Sequence, residues 1–437
     1  MALKWKGGLV AAAALAVIAV AAVSLAQTPA PAPTAAPPLP GPAAPPPSPP
    51  VDPLVEQGKY VAVLGDCAAC HTVAGGPALA GGFGLNTPFG TIYSPNITPD
   101  KETGIGGWTK AQFERAMRKG KDEKGHNLYP ALPYVYYTRM TTVDIDALYA
   151  YLMAQPAVKN TPPKNGLGFP FNIRALLTPW NWLHFRSGEY KADAGQSAEW
   201  NRGKYLFDGA GHCGGCHTPK NMMGGDKRGQ AFRGGLLDEW WAPDLTGNKV
   251  TGLGAWSKDD IVEFLKAGSN AHSSVYGSMA EVVQNSTSQM TDPDLAALAT
   301  YIKSIPASPA VSAKTADAAQ IAAGKVVYDK SCTSCHGAAG AGEERVYPKL
   351  AGAAGVNAPK TEGIVHMILS GNLPGPTTTI QSPDPMPPFA VKLSDKDVAA
   401  VATYIRNSWG NKAGPVSEKD VAKVRAKVVK PVAKVAG

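Results

Sequence analysis

Three copies of one five-residue pattern constrain this chain more than anything else in it: Cys67-Ala-Ala-Cys70-His71, Cys213-Gly-Gly-Cys216-His217 and Cys332-Thr-Ser-Cys335-His336. Together they use all six cysteines of the 437 residues. A structural zinc site needs four ligands, and these pairs lie far apart with no paired second half. A disulfide framework asks for no histidine after each pair, and a dithiol redox motif would not recur three times with the same third residue. One helical turn with cysteines at i and i+3 does account for the pattern. Both sulfurs then point at the two vinyl groups of a porphyrin, and the adjoining histidine sits under its iron. The spacing predicts three covalently bound haems c, held through Cys67, Cys70, Cys213, Cys216, Cys332 and Cys335, with His71, His217 and His336 as proximal iron ligands. Such attachment belongs outside a reducing cytoplasm, so export is expected.

The N-terminus agrees with export. Lys4 and Lys6 precede the apolar run Leu9 to Ala26, and Ser24-Leu25-Ala26 fits a small-x-small cleavage site. A cleaved signal is the favoured reading of residues 1–26, with a retained N-terminal membrane anchor as the runner-up. Residues 27–52 form a spacer, with twelve prolines between positions 28 and 50, and are expected to be extended and semi-rigid.

An internal repeat organises the remainder. Each motif follows a short helical pattern opened by Gly-Lys: Gly58-Lys59-Tyr60, Gly203-Lys204-Tyr205 and Gly324-Lys325-Val326. Each unit closes on Asp144-x-x-Ala147-Leu148-x-x-Tyr151, Asp294-x-x-Ala297-Leu298-x-x-Tyr301 or Asp397-x-x-Ala400-Val401-x-x-Tyr404. The apolar positions recur at helical spacing, and Thr142, Asp292 and Asp395 suit helix starts. A helix, the cysteine turn, loops and a closing helix packed on the first describe a mainly α chain of three tandem cytochrome c-like domains. Their expected bounds are 53–159, 199–304 and 319–410. Between the first two, 160–198 holds Phe169-Pro170-Phe171 and Trp180-Asn181-Trp182-Leu183-His184-Phe185, too aromatic for a free linker. It reads as a packed strap, or as a docking patch for another subunit. Residues 305–318 read as an ordinary linker. Residues 411–437 read as a basic tail, whose valines at helical spacing suit either a membrane-surface helix or a solvated segment.

A methionine opposite the histidine raises the reduction potential, whereas an empty position permits ligand chemistry. Met386, in a proline-stiffened loop before Asp397, is the expected sixth ligand of the third unit, and Met279 that of the second. Met290 occupies the place of Leu393, a helix-entry packing position. His272 is a minor rival; Met222 and Met223 follow their cysteines too closely; His366 and Met367 sit in a helical stretch. The first unit departs from the pattern. Leu132 stands in the proline-flanked loop Tyr129-Pro130-Ala131-Leu132-Pro133-Tyr134, and leucine cannot bind iron. Met140, His126 and an open or otherwise liganded iron are the alternatives there.

The stretches Leu128 to Tyr134, Phe169 to Arg174, Ser197 to Tyr205, Gly211 to Asn221 and Ser278 to Val283 carry a further signal. Through them the chain resembles the multihaem cytochrome c subunits of membrane-bound bacterial dehydrogenases acting on alcohols, aldehydes, gluconate, fructose or nicotinate. The resemblance implies three haems c and a location on the periplasmic side of the inner membrane. It also implies a catalytic partner of quinoprotein, flavoprotein or molybdenum type, a possible small third subunit, and electron flow to membrane ubiquinone. Members of that family commonly have methionine where this chain has Leu132.

Composition fits an electron carrier. Charged residues are 17%, and seven of the lysines and arginines that make the net charge +8 fall in the last 27 residues, so the body offers no nucleic-acid surface. All three units are spent on haem, and no dinucleotide-binding or phosphate-binding motif is present. Two other readings remain at this stage: a haem enzyme whose open first iron acts on peroxide or another small oxidant, and a free-standing soluble carrier.

Overall fold

The computed structural model describes residues 52–237, 239–310, 312–372 and 385–429. The expected signal or anchor, and nearly all of the proline-rich spacer, lie outside them. Each domain pairs an opening helix with a closing one: Pro53–Leu64 with Thr142–Met153, Ala198–Asp208 with Asp292–Ser304, and Ala318–Ser331 with Asp395–Arg406. The crossing point is the glycine of the Gly-Lys repeat. A Cβ on Gly58 would stand 1.8 Å from the Ala147 carbonyl oxygen, one on Gly203 1.9 Å from that of Ala297, and one on Gly324 2.0 Å from that of Ala400. Only a hydrogen fits there, so the two halves of the sequence repeat are the two sides of one helix contact.

The closing helices start at the expected residues, Thr142, Asp292 and Asp395, and each is capped by the residue before. Thr141, Thr291 and Ser394 have extended backbones, and their hydroxyls accept from the amides of Asp144, Asp294 and Asp397. Thr142, Asp292 and Asp395 are already helical. The repeated aspartate is thus the third helical residue, where its charge also suits the positive helix end.

Between these helices lies a middle one, Lys110–Lys119, Lys258–Ala267 or Glu362–Ser370. Each is followed by a glycine of positive φ: Gly120 at 60°, Gly268 at 78° and Gly371 at 69°. The first two domains add antiparallel hairpins, Gly84–Thr87 with Gly90–Tyr93 and Arg233–Leu237 with Trp240–Asp244. The helical periodicity did not reveal them.

The aromatic segment is a packed strap. Gly166–Leu167 adds a third strand beside Gly90–Tyr93. A helix, Leu177–His184, then lies against the first domain, with the Tyr134 hydroxyl donating to Asn181 Oδ1 at 2.7 Å. The Trp180 indole donates to the Met223 carbonyl at 2.9 Å, which fastens the strap to the second domain. Phe169, Trp182 and Leu183 nonetheless remain exposed.

The first two domains share one hydrophobic core, in which Val61, Ile145 and Leu152 meet Leu206, Leu295 and Ile302. Their junction has an approximate two-fold relation. Tyr60 Oη donates to Asp294 and accepts from the Thr291 amide at 3.1 Å, while Tyr205 Oη donates to Asp144 and accepts from the Thr141 amide at 3.1 Å. Within each domain the residue before the crossing glycine holds the same aspartate: Gln57 to Asp144 at 3.0 Å, Arg202 to Asp294 at 2.7 Å. The third domain has Val326 in place of the tyrosine, exposed, and keeps a separate core.

Two expectations are corrected here. The linker is tied down over its first residues: the Ser308 amide donates to Thr246 Oγ1 at 2.9 Å and its hydroxyl to Asp244 Oδ2 at 2.5 Å. The basic tail contains a helix, Glu418–Val428, whose Val421 and Val424 are buried in the third domain's core. Arg425 Nε donates to Asp395 Oδ1 at 2.7 Å, and Lys427 pairs with Glu239 of the second domain at 2.6 Å. Its apolar face is spent on packing, so neither a membrane-surface helix nor a solvated tail describes it. No helix among the described residues is long and apolar enough to cross a membrane.

Candidate haem sites

No disulfide joins any of the six cysteines, which sit on three short turns with helical segments Cys67–His71, Gly214–His217 and Thr333–His336. Burial pushes the Cys67 and Cys213 thiols up to about 12 and Cys332 to about 11, far from the thiolate character of a dithiol redox pair. The residues entering the first two turns, Asp66 and His212, have positive φ of 49° and 37°, which sets each pair at its angle to the preceding helix.

Each motif histidine is held the same way. His71 Nδ1 donates to the Pro95 carbonyl at 2.8 Å, His217 Nδ1 to Pro243 at 2.7 Å, and His336 Nδ1 to Pro348 at 2.9 Å. A carbonyl can only accept, so the proton is on Nδ1 and Nε2 keeps its lone pair for a metal. Burial lowers the pKa of all three against the opposing hydrogen bond, favouring the neutral ring that iron requires. The sequence reading missed these prolines. Their signal is faint but present: Pro95-x-Ile97, Pro243-x-Leu245 and Pro348-x-Leu350.

The second and third sites open into one cavity of about 650 Å³. Cys213, Cys216, His217 and Met279 line it from one domain, and Cys332, Cys335, His336 and Met386 from the other. The first site abuts the second. The helix Ser278–Asn285, which starts at the residue before Met279, packs on the Cys67–His71 turn. Unbridged cysteine pairs and histidines with a free Nε2 at all three turns, with an apolar cavity beside the second and third, fit haem c in its proximal requirements. Bound there, haem c supplies reversible one-electron chemistry.

The structure also sorts the distal candidates. Met279 lines the cavity, as does Met386, whose backbone pairs with Asn372 just after Gly371. Met290 is buried in the core as expected, though its edge reaches the cavity. His272 Nε2 is engaged with Asp260 Oδ2 at 3.2 Å and the ring stacks on Trp256. His366 is buried against the Trp240 ring, stacked at 3.7 Å between centroids, at the junction of the second and third domains. In the first domain His126 is largely exposed and faces Asp122 at 3.1 Å. Met140 is buried in the shared core at the packing position of Met290 and Leu393.

Three helical domains, each setting two thiols and an oriented imidazole on one turn, define a c-type cytochrome. The cytochrome c family profile matches residues 55–156, 200–306 and 321–409, one stretch per domain. The chain is 41% identical to the cytochrome c subunit of the quinone alcohol dehydrogenase of Gluconobacter oxydans, over 85% of this chain and 82% of that one. It is 38% identical to the gluconate 2-dehydrogenase cytochrome c subunit of Pantoea cypripedii, over 86% and 90%. It is also 41% identical to a subunit of the nicotinate dehydrogenase of Pseudomonas putida over 82% of its length, but spans only 30% of that longer protein. The chain belongs to the cytochrome c family, among the cytochrome subunits of dehydrogenases.

Proposed function

We propose that this chain carries three haems c in series and passes electrons from a catalytic dehydrogenase partner to membrane ubiquinone on the periplasmic side of the inner membrane. One observation carries the reading: the second and third sites share a single cavity, while the helix that carries Met279 packs on the cysteine turn of the first. Such a layout gives the order first, second, third, with the second domain in the middle. The chain's own work is positional. Proline carbonyls hold His71, His217 and His336 in one tautomer, so their donor atoms need no rearrangement as charge passes. Met279 and Met386, which line the cavity, would supply thioether ligands that favour the reduced state of the second and third sites. The shared core of the first two domains fixes one spacing and the 2.6 Å Lys427–Glu239 pair ties the third to the second. The names of its relatives, cytochrome subunits of alcohol, gluconate and fructose dehydrogenases, support a catalytic partner of the same broad kind.

The test is purification from membranes, a haem count by pyridine haemochrome, a potentiometric titration, and identification of co-purifying chains by mass. Three haems per chain, three one-electron steps and an accompanying dehydrogenase are expected. A chain that carries fewer haems, or that oxidises a metabolite unaided, overturns the reading.

A further inference from the structure

One backbone hydrogen bond after each of the two middle helices aligns the distal loops of the first two domains, although the first loop is one residue longer. In the second domain the Gly268 carbonyl accepts from the Val275 amide at 2.8 Å, and Met279 stands four residues on. In the first, the Gly120 carbonyl accepts from the Leu128 amide at 2.7 Å, and Leu132 stands four residues on. The turn that delivers a thioether in one domain delivers a hydrocarbon in the other.

Nothing else on that loop is placed to substitute. The hydroxyls of Tyr134, Tyr136 and Tyr137 donate to Asn181, Asp226 and the Gly65 carbonyl at 2.7, 2.6 and 3.0 Å. His126 points outward, 63% exposed, at Asp122. Met140 precedes Asp144 by the same four residues as Met290 precedes Asp294 and Leu393 precedes Asp397. The second domain holds both a cavity-lining Met279 and a core Met290, and the third fills the position with leucine, so the position serves packing.

We infer that the first domain offers its haem iron a single protein ligand, His71, and leaves an open coordination position beside Leu132 that accepts a small neutral diatomic molecule. The inference rests on the haem-carrying reading. The apolar leucine disfavours anions at that position and leaves neutral, iron-seeking molecules as the ligand class. A ligand that prefers ferrous iron would hold electrons on the first domain by its differential affinity, making entry to the chain of sites ligand-sensitive.

Carbon monoxide is the probe, titrated into the dithionite-reduced full-length protein and followed in the Soret band. One molecule bound per three haems is expected, with a high-spin signal from about one haem in three in the oxidised protein. Leu132→Met is expected to abolish both, and Met140→Leu to leave both in place. A wild type that carries three haems, binds no carbon monoxide and is wholly low-spin overturns the inference. So does uptake by all three irons, or a Met140→Leu variant that gains a binding site the wild type lacks. A haem count below three is a separate readout, and it sinks the underlying reading itself.

Discussion

Tyr60 and Asp294, 234 residues apart in the chain, meet across the first domain junction, the phenol donating to Oδ2 at 2.8 Å. The mirror contact, Tyr205 to Asp144, repeats it from the other side. Each tyrosine follows its own crossing glycine by two residues and clamps the closing helix of the neighbouring domain. The repeat therefore encodes both the helix contact inside a domain and the lock between domains.

Removing either phenol should loosen that lock. Tyr60→Phe and Tyr205→Phe are each expected to cost about 1–2 kcal/mol, the value of a hydrogen bond to a charged acceptor that is partly solvated. Val326→Ala, at the matching but exposed position of the third domain, should stay within about 0.5 kcal/mol. Thermal unfolding of the three holoproteins side by side checks both.

The same junction sets a pH dependence. Burial would raise the Asp294 carboxyl, but hydrogen bonds from Arg202 and Tyr60 outweigh it and hold the group below the ordinary aspartate value. A depressed folded pKa contributes stability above the unfolded value near ~4, and that stability is lost as pH falls through the folded one. Asp294→Asn should flatten the acid limb of a stability–pH curve relative to wild type. Parallel curves for the two proteins would refute the assignment.

The crossing glycines should tolerate nothing larger. Alanine ordinarily stabilises a helix by about 1 kcal/mol over glycine. At Gly58, Gly203 or Gly324 its methyl would meet a carbonyl oxygen at 2.0 Å or less, and overpacking should reverse the sign to a loss of about 3 kcal/mol. The yield of haem-loaded protein and its melting temperature report the change.

The C-terminal helix should behave as core. Val421→Ala is expected to destabilise the third domain by about 2 kcal/mol, for two buried methyls and the space they leave. Lys419→Ala, on the exposed face, should be near neutral. Chemical denaturation followed at the third haem distinguishes the two.

Distal ligation gives the last prediction. Met279→Leu and Met386→Leu should each lower one redox step of the purified protein and leave the other two in place, because a thioether favours ferrous iron. A titration in which no step moves would remove these residues from the ligand set.

Much of this was legible along the chain because it is local. The cysteine turns, their histidines and the Asp-x-x-Ala closing helices are short-range patterns in which spacing alone decides which atoms share a face. The crossing glycines were visible too, though not their purpose, since a glycine's role is stated only by what approaches it. The hairpins stayed hidden because strands of four or five residues carry little periodicity.

The one-dimensional record thus determined how many Cys-x-x-Cys-His turns there are, and that three similar helical units follow one another. Only the folded chain decided which proline carbonyl orients each histidine, that Met140 lies in the core, and that two sites open into one cavity. It also spent the valines of the basic C-terminal helix on the third domain's core. These are contacts between residues tens to hundreds of positions apart, set by how surfaces fit once the helices have formed, and spacing along a chain carries no record of them.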